Sequence, residues 1–219
     1  MKQLIFYFDF LSPFSYFAWM KLQQLVHEKQ LKIEYKPTPL GPLLNHWQIK
    51  GPGEVTPKRE FLLKQCLRYS KRFGLPFTTP QTHPFNSLYA LRLALKGVAG
   101  DHQEKVISTL WSAGWQKRID MGNPDELLAA LRDNGLPHEE LYEKSFSREA
   151  KAELKANIQQ ALAAGVFGVP SFTVGTELFW GNDALPDVMD FLEGTDLLDR
   201  VKLESLLTST PRAAVQHIP

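Results

Sequence analysis

Three short segments of this chain carry residue types that can do chemistry together. In the first, Ser12 and Pro13 stand where the apolar run Phe6-Tyr7-Phe8-Asp9-Phe10 gives way to a helical pattern. Serine is a strong N-cap and proline suits the first helical position, so the Ser12 hydroxyl belongs at the positive end of a helix. A helix start aimed out of the end of a buried strand is an arrangement that holds anions. The second segment is Val166-Phe167-Gly168-Val169-Pro170-Ser171-Phe172, a Gly-Val-Pro entering a strand after a long helix. Were the bond before Pro170 cis, it would turn the Val169 N–H and C=O outward, where a peptide-like ligand could pair with them as one more strand. A plain strand-opening proline is the alternative. The third is Leu178-Phe179-Trp180-Gly181-Asn182-Asp183. It offers backbone N–H groups for a carboxylate and an aspartate for an ammonium, or else Asn182 or Asp183 simply caps the next helix. Lys58, beside Pro57, puts a cation at the mouth of a helical block; by itself it reads as a solvated lysine.

Composition removes several other chemistries. The chain has one cysteine, Cys66, so neither an internal disulfide nor a Cys-x-x-Cys redox pair can form. Cys66 lies in an apolar helical stretch and is expected to be a buried, inert thiol. The six histidines are scattered, with no zinc-like spacing, so no metal site is expected. Glycine-rich phosphate loops and a nucleophile elbow are missing as well. Lys plus Arg is 25 against 24 for Asp plus Glu, which argues against nucleic acid or an anionic membrane as partner. No apolar run approaches the roughly 20 residues that span a bilayer, and residues 1–8 lack a secretory pattern, so a cytoplasmic setting is expected.

The elements that must position these segments follow from periodicity. Residues 3–8 read as a buried strand, 13–28 as a helix with Phe14, Phe17, Ala18, Leu22 and Leu25 on one side, and 31–35 as a second strand. Such a strand–helix–strand unit gives a parallel pair. Residues 36–56, rich in Pro and Gly, read as a partly helical connection. Helices are expected over 58–73, 86–96, 103–115, 124–134, 139–142 and 147–164. Strand signals return only at 171–174 and 177–180, a hairpin, followed by a helix over 183–192 and a short extra helix over 199–207 with a frayed end. With strands at both ends and helices between, the expected architecture is an α/β sheet domain built from both termini with an inserted all-helical domain. The boundaries are 1–40 with 166–195 for the sheet domain, 41–165 for the insertion, and 196–219 for a C-terminal extension.

Phe-Asp-Phe-Leu-Ser-Pro-Phe-Ser-Tyr, Gly-Val-Phe-Gly-Val-Pro-Ser-Phe and Leu-Phe-Trp-Gly-Asn-Asp resemble the 2-hydroxychromene-2-carboxylate isomerase family, which is related to kappa-class glutathione transferases and to Dsb-type oxidoreductases. The segment His83-Pro84-Phe85-Asn86-Ser87-Leu88 resembles it too. The resemblance runs from residue 3 to about 193 and implies a thioredoxin-like fold, glutathione as cofactor and a homodimer. It implies Ser12 as the catalytic residue at the glutathione thiol and Val169, before Pro170, at the cysteinyl backbone. Trp180, Gly181, Asn182 and Asp183 fall around the γ-glutamyl end, and Lys58 falls at the glycyl carboxylate.

A free thiol, with a pKa of about 8.5, is mostly protonated at neutral pH. A serine hydroxyl and a helix start both favour its thiolate, while serine itself cannot form a disulfide. The implied reaction is thiolate addition to a conjugated, ring-opened aromatic ketoacid, bond rotation and elimination. A kappa-like transferase or peroxidase acting on hydrophobic electrophiles is the nearest alternative, and a non-catalytic peptide-binding protein of the same fold is another. The family's Lys and Asn-Arg pair after the second strand are not matched in residues 43–54, so the substrate pocket is expected to be more apolar, lined by Leu43, Leu44 and Trp47. Asp183 is followed by Ala184, where many relatives have arginine.

Overall fold

The computed structural model describes residues 3–29 and 31–209. Strand β1 (Leu4–Phe8) leads through a four-residue turn into helix α1 (Pro13–Lys29) and then strand β2 (Ile33–Pro37), which pairs parallel to β1. Helices α2 (Leu40–Trp47), α3 (Thr56–Phe73), α4 (Leu88–Leu93), α5 (Lys96–Ala99), α6 (Gln103–Trp115), α7 (Pro124–Asp133), α8 (His138–Ser145) and α9 (Arg148–Ala163) follow before the sheet resumes. Strands β3 (Ser171–Val174) and β4 (Glu177–Trp180) form an antiparallel hairpin, and β3 pairs antiparallel with β1. The sheet order is β2-β1-β3-β4. Helix α10 (Leu185–Glu193) and helix α11 (Arg200–Ser209) close the described chain.

Strand β1 is apolar on both faces because both are covered. On one side Phe6 stacks with Phe8 and Phe172 at 5.1 and 5.0 Å, and Phe8 meets Trp111 of α6 at 5.9 Å. The main core runs without a break from these rings into α1, α6 and α10. On the other side Tyr7 packs with Leu43 of α2, Ala161 of α9, Val166 and Val169.

Several boundaries differ from the sequence reading. Strand β2 begins at Ile33, not at residue 31, because the register sets Leu4 opposite Ile33 and Phe8 opposite Pro37. Pro37 lacks a donor, which an edge strand tolerates. The single helix expected over 86–96 is two, α4 and α5, with extended backbone at Leu95 between them (φ −66°, ψ 146°). The connection after β2 is partly helical as expected, its helix being α2. Helix α10 starts at Leu185 with Ala184 at its N-cap and no side-chain cap, so neither Asn182 nor Asp183 caps it. Helix α11 runs two residues past the expected end, and the frayed segment expected beyond it lies outside the described residues.

The turn between β1 and α1 has its carbonyls held from many directions. Phe8 O accepts from Thr38 N at 2.8 Å, Asp9 O from Ser12 N at 2.9 Å, and Ser12 O from Tyr16 N at 3.2 Å. Phe10 O accepts from the Trp115 indole at 2.9 Å, and Leu11 O lies 3.0 Å from His83 Nε2. Asp9 is buried, and its two oxygens accept from Leu11 N at 3.0 Å and Leu40 N at 2.8 Å. Orphaning one buried acceptor costs about 1–3 kcal/mol. Trp115→Phe, which removes only the Phe10 donor and some ring volume, is expected to lower unfolding stability by at least that amount in urea titrations; an unchanged midpoint would show the indole bond carries no weight.

Candidate active site

Ser12 caps α1 as its type suggests: its Oγ accepts from Ser15 N at 3.2 Å. The same hydroxyl donates to Val169 O at 3.3 Å, across 157 residues of sequence. The first two chemistry-bearing segments thus meet directly. The Val169–Pro170 bond is cis, as is His83–Pro84. The carbonyls of this second loop are held much as the first turn's are. Val166 O accepts from the Trp47 indole at 3.0 Å, Gly168 O from Ser171 Oγ at 2.7 Å, and Pro170 O from Gly181 N at 3.0 Å. The Val169 N–H makes no hydrogen bond among the described residues.

The third segment joins through that Gly181 contact. Gly181 has φ 103°, a region that favours glycine. Trp180 is more than half exposed and packs its ring 5.0 Å from Phe167. Gly168 leaves room for it, since a Cβ there would lie 2.9 Å from the Trp180 indole nitrogen. Asn182 is 2% exposed, yet its side-chain N–H donors have no partner among the described residues. A buried unpaired amide is rare and needs an explanation. Lys58 is exposed in the first turn of α3. Its neighbour Arg59 donates to His83 O at 3.3 Å, and His83 reaches Leu11 O, so the start of α3 is tied to the turn before Ser12.

Two expectations are corrected. Leu43 is fully buried in the cluster with Val169 and presents no surface to a pocket open to solvent. Trp47 spends its indole N–H on Val166 O, which makes it a support of the proline loop with one exposed ring face. A cavity of about 370 Å³ opens elsewhere, along β2 between Glu34, Lys36 and Asn157. It contains none of Ser12, Val169 or Asn182.

Electrostatics agree that the chain brings no thiolate of its own. Burial pushes the Cys66 thiol up to about 12. Burial also raises the Asp9 carboxyl, against hydrogen bonds from Leu11, Ser87 and Leu40 that favour its anion. His83 is held below the usual imidazole range by burial; the Leu11 contact acts the other way, and the Arg59 charge adds to the lowering. Because Leu11 O can only accept, His83 Nε2 carries a proton in this contact. His83 and Asp9 were not singled out from sequence. The His-Pro pair preceding a helix was the available signal for the first, and an aspartate inside an aromatic run for the second.

A mixed sheet with a serine-capped first helix set against a cis-proline loop defines a thioredoxin-fold protein without a redox cysteine. The family model for the DSBA-like thioredoxin domain matches residues 3–193, and this chain belongs to that family. A 2-hydroxychromene-2-carboxylate isomerase of Sphingobium xenophagum is 32% identical over 194 residues, covering 88% of this chain and 96% of the relative. The kappa 2 glutathione S-transferase of Caenorhabditis elegans is 26% identical, covering 87% and 92%. Among solved structures, that of a 2-hydroxychromene-2-carboxylate isomerase superimposes with a TM-score of 0.79 at 24% identity, over 95% of this chain and all of the other.

The lowered His83 value carries a pH dependence. Below pH 6.5 the unfolded chain takes up a proton that folded His83 resists, so its contribution is present above 6.5 and is lost as pH falls below it. Denaturation midpoints at pH 7 and pH 5 are expected to fall further apart for the wild type than for His83→Gln; equal differences would show that the imidazole does not titrate across folding.

Proposed function

We propose that this chain is a glutathione-dependent isomerase of the 2-hydroxychromene-2-carboxylate isomerase type, acting on a small aromatic ketoacid. The observation that carries the reading is the Ser12 hydroxyl on the Val169 carbonyl, in a chain whose single thiol is buried and protonated. The residues fit glutathione. The unpaired Val169 N–H suits a cysteinyl carbonyl, and the unpaired Asn182 amide suits an acceptor at the γ-glutamyl end. In this reading Ser12, Val169 and Pro170 flank the sulfur, Trp180, Gly181, Asn182 and Asp183 surround the γ-glutamyl group, and Lys58 takes the glycyl carboxylate.

When bound, glutathione supplies a thiolate nucleophile for reversible addition to an electrophilic carbon. The chain supplies the rest. Ser12 has one hydroxyl proton, so donation toward sulfur requires that proton to leave Val169 O. The α1 N-terminus adds its positive end, and charge-assisted donation to an anion is stronger than donation to a carbonyl. Ser12 therefore acts as hydrogen-bond donor and not as nucleophile. Residues 1–40 and 166–195 form the glutathione-binding unit in this reading, 41–165 the inserted helices, 196–219 an extension, and a cytoplasmic homodimer the working form. Transfer of glutathione to hydrophobic electrophiles is a second reading, favoured by the exposed Phe167 and Trp180 rings beside the loop.

Millimolar glutathione is expected to raise the melting temperature by simple linkage. No shift sinks the proposal. Ser12→Ala should keep the fold, with about 1 kcal/mol lost from the cap, and should cut turnover of hydroxychromene carboxylate more than tenfold. Turnover equal to wild type would make the serine a cap and nothing more.

A further inference from the structure

Helix α2 reaches from the serine turn to the proline loop and is fastened at both. At its start Pro39 stands at the N-cap and brings no capping side chain. The acceptor for the first helical N–H comes from another element: Leu40 N donates to Asp9 Oδ2 at 2.8 Å. Asp9 follows the end of β1, is 1% exposed, and takes Leu11 N, next to Ser12, on its other oxygen at 3.0 Å. At the far end of α2 the Trp47 indole donates to Val166 O at 3.0 Å, where the chain enters the proline loop. Midway, Leu43 is buried in the cluster that also contains Val169. The helix is eight residues long, about 12 Å at 1.5 Å per residue.

The two loops meet through the Ser12 Oγ to Val169 O contact, at 3.3 Å. Hydroxyl hydrogen bonds usually run about 2.5–3.0 Å, so this contact holds the gap weakly. The spacing is set by what braces the loops from behind. The β1–β3 ladder fixes them along the strands, with Tyr7 opposite Ser171. Helix α2 is a second connection, made through side chains at its two ends. A helix with its own backbone bonds made moves as a unit, and such rigid elements carry a displacement from one end to the other.

We propose that Asp9 is a positioning residue for the site: acting through α2 and Trp47, it holds the proline loop at the spacing from Ser12 that a bound thiol needs. A carboxylate suits the task because it accepts from two elements at once, whereas an amide in its place has one acceptor oxygen and sets an NH2 group against an N–H. The inference rests on the glutathione reading for the thiol; the coupling of the serine turn to the proline loop belongs to the fold alone. Asp9 touches no reacting atom in this role, and Trp47 is the other end of the same strut.

The test reads the hold on the proline loop by amide hydrogen exchange at Gly181, whose N–H donates to Pro170 O, with the amides of α6 reporting global stability. Asp9→Asn, Trp47→Phe and the double variant are compared with the wild type. Each single variant is expected to speed Gly181 exchange at least fivefold beyond any change in α6. The double variant is expected to stay within twofold of the faster single, because one cut already disconnects the strut. Independent braces would multiply to about twenty-fivefold or more, and that outcome overturns the inference. So does an unchanged Gly181 rate in either single variant, or equal acceleration at Gly181 and in α6, which marks general destabilisation. Leu40→Pro removes the same bond from the helix side and serves if Asp9→Asn does not fold. Pro39 already has the extended ψ of 129° that a following proline requires, and the first helical position tolerates proline. By calorimetry Asp9→Asn is expected to weaken glutathione at least fivefold; wild-type affinity in that variant overturns the positioning role and leaves the glutathione reading standing. A wild type that binds no glutathione overturns the proposed function and this role with it.

Discussion

The structure depends on satisfying five successive carbonyls, Phe8 to Ser12, as the chain leaves the end of β1 and turns into α1. Buried carbonyls without donors are costly, and here the donors come from the connection after β2, the turn itself, Trp115, His83 and the first turn of α1. The turn that presents Ser12 is therefore assembled by elements spread over a hundred residues. Buried Asp9 reinforces it by accepting from backbone on both sides, at Leu11 and at Leu40. The helical segment between β2 and β3 contributes directly to this turn through His83 and Trp115.

The loop around Pro170 is braced in the same way, from Trp47, Ser171 and Gly181, and Ser12 closes the gap between the two loops. One hydroxyl proton serves that closure. Any acceptor better than a neutral carbonyl will compete for it, and an anion is such an acceptor. In the proposed reading, the Ser12–Val169 bond is the internal contact that a bound thiolate would replace. Ser15, one turn on, has a fully buried hydroxyl without a partner among the described residues.

The region past β4 has a similar character. Neither Asn182 nor Asp183 is used as a helix cap, although both are good capping types, and Ala184 takes the position instead. Asn182 is buried with its donors unpaired. The apolar packing that anchors this end of the sheet lies instead in the aromatic core of Phe6, Phe8, Phe172 and Trp111.

Local chemistry was legible in the sequence wherever a single element contained it. Periodicity placed α6 and both hairpin strands at their observed ends, and the serine-proline start of α1 was readable from capping preference alone. The three segments Ser12, Val169–Pro170 and Trp180–Asp183 were also legible as chemistry, because each pairs a polar group with a chain break. The sequence could not show that Leu95 interrupts a helix or that Leu43 lies under the proline loop, since packing decided both. Nor could it single out His83, whose part depends on a carbonyl 72 residues away. By itself the sequence determined the residue types and local elements, because capping, turns and periodicity act within a few residues. The tertiary structure decided which of those residues share one space, because burial and hydrogen-bond satisfaction are settled only between distant segments.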